Sequence, residues 1–344
     1  MTKKYIIGPD MNINGVFAGN KFPRDIITIC QKEGYEPIYV AEGHSKLMAW
    51  KYLHDWNNLQ KIESNSIAVF IDQVSPRITR RMVYSTLKRK NVAIIPLLED
   101  IDPLRSSEMT PTQKKRELNR LHQAKYIISQ NRKESKLLEN MGFDVPKIEL
   151  NVLDFLSDKI DSSKKEKNNK WKVCYGGNLT EQQSGFLKEI KESDSVEYYI
   201  YGKGEVSKQL PKGAIYKGSF SAENCVGNLE GNWGLVWNGQ SLEINLRDNK
   251  SAYYNYVSPH KFSMYILCGM PLIVYSGSAM AEFVQKNKCG IIIDKLDQIP
   301  KRLNLVSNTA YQEMHQNVLE IAQKISSGFF TKEVLLELEK MNQF

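Results

Sequence analysis

Short apolar strands alternate with longer amphipathic stretches along almost the whole chain, and this alternation constrains the fold more than any single motif. Strand-like runs fall at 5–7, 37–40, 67–71, 92–98 and 126–129. Between them, 3.6-residue patterns predict helices over 22–32, around 46–56, and over 80–88, 113–122 and 133–141. Strands such as IAVFI at 67–71 are apolar at every position, as expected where both faces are covered. Repeated strand–helix units of this kind predict an α/β fold with parallel sheets.

A hydrophilic, unpatterned break at 157–170 interrupts the alternation, which then restarts. The second half predicts strands at 172–175, 196–201, 214–216, 234–237, 272–275 and 290–293, and helices at 185–191, 222–229, 259–267, 279–287 and 312–325. With 344 residues the chain has material for two cores of roughly 150 residues each. We therefore expect two Rossmann-like domains facing across a cleft, an N-terminal one at 1–155 and a C-terminal one at 171–325. A last helix within 326–344 could belong to either domain, and a return to the N-terminal one is open. Open α/β sheets bind ligands beyond the carboxyl ends of their strands, so function is expected in the loops that follow strands.

Several classes are disfavoured. No run approaches the roughly 18 apolar residues of a membrane span, and the start MTKKYIIGPD is too short in apolar residues for a signal peptide; the expectation is a soluble, cytoplasmic protein. Five cysteines, scattered and without Cys-x-x-Cys or Cys/His spacing, read as reduced core thiols rather than a zinc site or disulfide frame. Net charge is +8, which favours anionic partners. Part of that surplus is local, at 162–172 and at Lys88, Arg89 and Lys90, where it reads as solvated surface. Without a nucleic-acid-binding signature no nucleic-acid partner is expected.

The stretch YVSPHKFSMYILCGMPLIV, 256–274, holds the sharpest constellation. Ser258 is placed to cap a helix with Pro259 at its first position, which puts His260 and Lys261 in a first turn where backbone N–H groups are free. A lysine there opposes the helix dipole, and a bound diphosphate would resolve the conflict by meeting N–H donors, the dipole and an ammonium together. The alternative is a lysine tolerated by solvent. Glycine-bearing loops follow three successive strands: Gly176, Gly177 and Asn178 in VCYGGN, Gly202 and Gly204 in YIYGKGE, and Gly218, Ser219 and Phe220 in YKGSF. Together they suggest a nucleotide pocket, although each alone is only a turn. In the first half, PDMNINGVFAGN supplies Asn14 and Gly15, which either reach a ligand or make an ordinary loop.

EDIDPLR delivers Glu99, Asp100 and Asp102 past a buried strand, with Arg105 close behind. Asp100 could serve as a general base if partly desolvated, or could simply pair with Arg105. Asp100 and Asp102 also form a literal Asp-x-Asp, a three-residue pattern common by chance that one class of sugar transferases uses to hold a metal. His44, His54, His122 and His315 stand singly, and no Walker A loop, Gly-x-Ser-x-Gly elbow or catalytic triad is present.

The pattern GLVW, YVSPHKFSMYILCGMPLIV and KCGIII, with the Gly-Gly-Asn turn upstream, EDIDPLR in the first half and GFFTKEVL near the end, resembles one glycosyltransferase group across nearly the whole chain. That group is the GT-B glucosyltransferases that add the second sugar to O-linked GlcNAc on serine-rich repeat adhesins of streptococci and lactobacilli. More distantly, the chain resembles bacterial galactofuranosyltransferases. The resemblance implies a GT-B fold and a UDP-sugar donor, most simply UDP-glucose, lodged mainly against the second domain. It further implies a GlcNAc-bearing adhesin as acceptor, no metal or other cofactor, and assembly as a tetramer. Lys261 matches the lysine that contacts the donor phosphates, and Gly177-Asn178 match the turn after the second domain's first strand. Ser219 stands near a nucleotide-contacting aromatic of the relatives, with Phe220 as a substitute. Asp100 matches a carboxylate that the relatives precede with histidine, where this chain has Glu99. GlcNAc or galactofuranose transfer to protein or polysaccharide, a metal-dependent transferase, and a noncatalytic nucleotide-sugar binder remain the alternatives.

Overall fold

The structure is a computed structural model that describes residues 2–9, 21–41, 48–72, 75–106, 108–163, 166–247 and 252–342. The chain forms two compact units, Met1–Asp154 with Gly328–Phe344, and Phe155–Ser327. The hydrophilic break at 157–170 thus lies within the second unit.

In the first unit six strands, β1 (Lys4–Pro9), β2 (Glu36–Val40), β3 (Ile67–Ile71), β4 (Ala93–Leu97), β5 (Ile127–Ser129) and β6 (Lys147–Glu149), form a sheet in the order β2-β1-β3-β4-β5-β6, parallel at each described pairing. The two-residue period of β3 explains its composition. Ile67, Val69 and Ile71 join one core with Phe22, Ile26 and Leu335, while Ala68 and Phe70 join another with Leu59, Val83 and Leu87. A strand with helices on both faces needs apolar residues at every position.

The C-terminal helix Phe329–Asn342 belongs to this unit, where Val334, Leu335 and Leu338 enter the first of those cores. Gly328, at φ +79°, breaks it from the preceding helix Asn308–Ser327. Asp154 fastens its start by accepting the N–H groups of Phe330 (3.3 Å) and Thr331 (2.6 Å), although burial pushes its carboxyl up to about 6. Asp154→Ala is expected to lower the stability of the first unit by about 1 kcal/mol. Urea unfolding followed by a probe in each unit checks this, and an unchanged first-unit midpoint would remove Asp154 as the anchor.

The second unit repeats the plan with β7 (Trp171–Asn178), β8 (Val196–Lys203), β9 (Ala214–Gly218), β10 (Trp233–Val236), β11 (Leu272–Tyr275) and β12 (Gly290–Ile293), in the order β12-β11-β10-β7-β8-β9, again parallel. The rings of Trp171, Trp233 and Tyr311 meet at centroid distances of 4.9–5.8 Å at the centre of its core. Two helix expectations fail here. Residues 222–229 form only the 3-10 turn Ala222–Asn224, and Gly227 at φ +90° prevents its continuation as a helix. Residues 185–191 give the 3-10 segment Gly185–Glu189, which ends where Ile190 turns extended.

All five cysteines are free and buried. Among the described residues no helix is long and apolar enough to cross a membrane. Lys90, expected on a solvated face, instead donates to the carbonyl oxygens of Gln60 and Ile62, both at 2.6 Å.

Candidate functional site

Strand order fixes where the second unit binds. The chain moves outward from β7 to β8 and β9, then returns to place β10 on the other side of β7. Loops leaving β7 and β10 therefore diverge, and the crevice between their carboxyl ends is the position at which open α/β sheets take ligands.

Lys261 stands at this crevice. Its Nζ donates to the carbonyl oxygen of Trp237, just past β10, at 2.9 Å. The ammonium also lies 4.2 Å from the centroid of the Tyr175 ring, on β7. Gly177, at the end of β7, has no Cβ, and one placed there would come within 3.4 Å of Nζ. The residue is half-buried, yet no carboxylate among the described residues pairs with it. Burial pulls its pKa down to about 7. A partly buried cation with no carboxylate partner among the described residues is the kind of group that an anionic ligand stabilises.

The helix His260–Leu267 carries Lys261, with a capping arrangement that differs from the sequence expectation. Pro259, at φ −75° and ψ 141°, is the N-cap and makes no side-chain cap bond, so Ser258 lies one position outside and His260 becomes the first helical residue. Ser258 is buried. Lys261 nonetheless remains in the first turn, where N–H groups lack intrahelical partners.

Beneath the crevice is a shell of tyrosines. Tyr265 accepts the Gly176 N–H at 2.7 Å, and its ring fills the space that a side chain at Gly234 would need. Tyr254 is buried, and among the described residues its hydroxyl has no hydrogen-bond partner. The Asn255 Oδ1 is likewise buried and unpartnered. Orphan polar atoms of this kind in a ligand-binding fold are natural partners for ligand groups.

The glycine loops separate into different roles. Gly177 and Asn178 end β7 beside Lys261. Gly202, expected to approach a ligand, is instead explained by strand packing: it pairs with Gly177, adopts φ +138°, and a Cβ there would overlap the Gly177 carbonyl oxygen. Ser219 is exposed past the end of the edge strand β9, and the Phe220 ring packs edge-on against Tyr201 at 5.5 Å. At roughly 4.8 Å per strand, β9 lies about 10 Å from β7, a nucleotide-like span along the strand ends. Asn14 and Gly15 lie outside the described residues.

In the first unit Asp100 follows β4 and forms an ion pair with Arg105, whose Nε is also 3.7 Å from Asp102. Both carboxylates are about half exposed, at 44% and 48%. This is not the desolvated setting required of a strong base, and Arg105 draws both carboxylates to itself. No cluster of metal-binding side chains occurs among the described residues. Sequence reasoning missed Tyr175 and Trp237, which look like ordinary core aromatics until the fold brings them to Lys261.

Two family models cover this chain: "Glucosyltransferase 3-like, N-terminal domain" matches residues 5–152 and "Glucosyltransferase 3-like, C-terminal domain" matches residues 173–338. The chain belongs to the glucosyltransferase 3-like family. It is 27% identical over 248 residues to the beta-1,6-galactofuranosyltransferase WbbI of Escherichia coli K12, covering 71% of each chain. Over 108 residues it is 30% identical to glucosyltransferase 3 of Streptococcus gordonii, 31% of each chain. Among solved structures, Anabaena HepE in complex with UDP-glucose matches with a TM-score of 0.64 at 10% identity, over 99% of this chain and 100% of the other. A sucrose-phosphate synthase from Thermosynechococcus elongatus matches with a TM-score of 0.69 at 9% identity, over 100% and 98%. Such low identities speak for the fold, which is GT-B. As a glucosyltransferase 3-like protein the chain is a glycosyltransferase.

Proposed function

We propose that this glycosyltransferase moves glucose from UDP-glucose to GlcNAc already O-linked to serine or threonine of a serine-rich repeat adhesin. The observation that carries the donor class is Lys261, a cation that has no counter-ion among the described residues at the β7/β10 crevice. A diphosphate bound there would take the ammonium from the Trp237 carbonyl and face the first turn of the helix His260–Leu267. As the glycosidic bond to UDP breaks, negative charge grows on the diphosphate, and donors already in place stabilise it without reorganisation. Asn178 and Gly177 supply backbone beside the phosphates, while Ser219 and Phe220 serve the nucleoside end. The HepE structure with UDP-glucose and the name of the Streptococcus relative support glucose as the donor sugar.

Asp100 is assigned to acceptor positioning, with Arg105 as its partner. Because Arg105 engages both Asp100 and Asp102, transfer is expected to proceed without a bound divalent cation. We further expect the tetramer that the family resemblance implies, which light scattering in solution tests. A second donor, UDP-galactofuranose, is favoured by the Escherichia coli relative, which aligns over the larger share of the chain.

The test is UDP release from UDP-glucose, UDP-GlcNAc, UDP-galactose and UDP-galactofuranose, each with and without a GlcNAc-bearing peptide and with and without EDTA. The expected result is release from UDP-glucose, stimulated by the peptide and unaffected by EDTA. Peptide-stimulated release from another donor alone would overturn the sugar, and loss in EDTA with rescue by manganese would overturn the metal-free mechanism.

A further inference from the structure

The helices Met48–Gln60 and Arg77–Arg89 lie side by side on one face of the first unit's sheet, where Leu59, Val83 and Leu87 enter a shared core. The Thr79 hydroxyl donates to Asp55 at 2.8 Å and Arg89 donates to the Gln60 side chain at 3.2 Å, so the two run in the same direction. Their outward side is rich in apolar side chains. Trp50, Leu53 and Trp56 are 79%, 56% and 47% exposed, and Ile78, in the first turn of the second helix, is 49% exposed. Residues three apart on a helix are offset by about 60°, so the three on the first helix form one stripe. Single exposed apolar side chains are ordinary, but a cluster holding two tryptophans marks an interaction surface.

The charge around this cluster has one sign. Arg77, Arg81, Lys88 and Arg89 are exposed on the second helix, and the exposed Lys61 directly follows the first. The two helices hold a single carboxylate, Asp55, which is fully buried and accepts from the Ala41 N–H as well as from Thr79. Glu117 reaches Arg77 and Arg81 from another element at 3.6 and 3.9 Å, but its side chain is only 9% exposed, so the outer surface keeps the sign of the cations. The helix dipole accounts for Lys88 and Arg89 in the last turn, and not for Arg77 and Arg81 in the first two.

We propose that this two-helix face docks on an anionic phospholipid bilayer, with Trp50, Leu53, Trp56 and Ile78 entering the interface and the cations meeting the headgroup phosphates. Indole rings and aliphatic side chains settle at the boundary of headgroup and acyl chain, while arginine and lysine reach the phosphates on flexible stems. Attraction to a negatively charged leaflet grows with each such cation. A second copy of the chain fits less well, because a twofold interface sets the same patch against itself and brings cations opposite cations. An acidic protein would match the charge. Four apolar side chains spread among cations over two helices, however, suit a surface of no fixed shape better than a partner that seats its anchors in pockets.

The test is cosedimentation and tryptophan fluorescence of the full chain with vesicles of phosphatidylcholine alone and of phosphatidylcholine mixed with phosphatidylglycerol, at low and high salt. Trp171, Trp233 and Trp237 are fully buried, so a blue shift of emission on vesicles reports Trp50 and Trp56. Trp50→Ser/Leu53→Ser and Arg81→Gln/Lys88→Gln alter exposed side chains and should fold, as thermal melts can verify. Neither pair belongs to the donor site, so failure here is separate from failure of the transferase reading. The expected result is binding to the mixed vesicles only, with a blue shift, weakened by salt and weakened about tenfold or more in each double variant. No binding to the mixed vesicles, binding unchanged in either variant, or binding without a blue shift would overturn the proposal. A smaller oligomer for Trp50→Ser/Leu53→Ser in sedimentation equilibrium would also overturn it and assign the face to a second copy.

Discussion

Replacing Lys261 with alanine is expected to lower hexose transfer about 100-fold, through loss of electrostatic stabilisation on the order of 3 kcal/mol at the departing diphosphate. Lys261 donates to one carbonyl oxygen and lies over one aromatic ring, without a carboxylate partner among the described residues. Such a charge weakens the empty protein and is useful only when an anion arrives. Lys261→Met, which keeps most of the side-chain volume, should therefore melt higher than the natural protein while showing a similar loss of transfer. Steady-state UDP release and thermal melts with and without UDP measure both effects. Wild-type turnover in either variant would remove the lysine from the mechanism.

Gly202→Ala is expected to destabilise the second unit by about 3 kcal/mol or more, among the larger single-residue effects, because strain and overlap act together. Gly202 sits at φ +138° opposite Gly177, and an added Cβ would overlap the Gly177 carbonyl oxygen. The neighbouring strand end cannot yield without moving the backbone against which Lys261 rests. Gly218→Ala is the control: it shares a positive φ of +93°, but nothing lies within 4 Å of its added Cβ, so a smaller loss of about 1 kcal/mol follows. Urea midpoints at constant m-value compare the two. Equal losses would show that backbone conformation alone, and not the contact with Gly177, sets the cost.

Burial and periodicity explain which parts of the architecture were legible. Ile67–Ile71, Leu272–Tyr275 and Gly290–Ile293 match their sequence boundaries, because a strand covered on both sides is a short apolar run between polar turns. β6 was missed, since Lys147–Glu149 offers a single apolar residue and its strand character comes from pairing with β5. The helix expected at 222–229 had a compatible pattern, but Gly227 adopts a left-handed turn there.

At the site, Lys261 was visible because its position at a helix mouth conflicts with the dipole. Its partners were not, as Tyr175 and Trp237 reach it only through the order in which β7 and β10 pair. Gly202, expected in a ligand-facing loop, has a packing reason for being glycine that the sequence did not show, its close approach to the Gly177 carbonyl oxygen on the neighbouring strand. Lys88, Arg89 and Lys90 read alike as surface charge. Tertiary structure gives Lys90 buried carbonyl partners and leaves the other two exposed on the helix Arg77–Arg89.

Whether Lys261 awaits the donor diphosphate is tested by calorimetry of UDP binding at pH 8 in buffers of different ionisation enthalpy. In the free protein burial holds the Lys261 pKa at about 7, so the amine is mostly neutral at pH 8. A diphosphate favours the ammonium and raises that pKa on binding, so a proton must be taken up between the free and bound values. We predict uptake of roughly one proton at pH 8, an affinity that falls as pH rises above 7, and loss of the uptake in Lys261→Ala. UDP binding with no proton uptake at pH 8, equally tight in Lys261→Ala, would contradict the account.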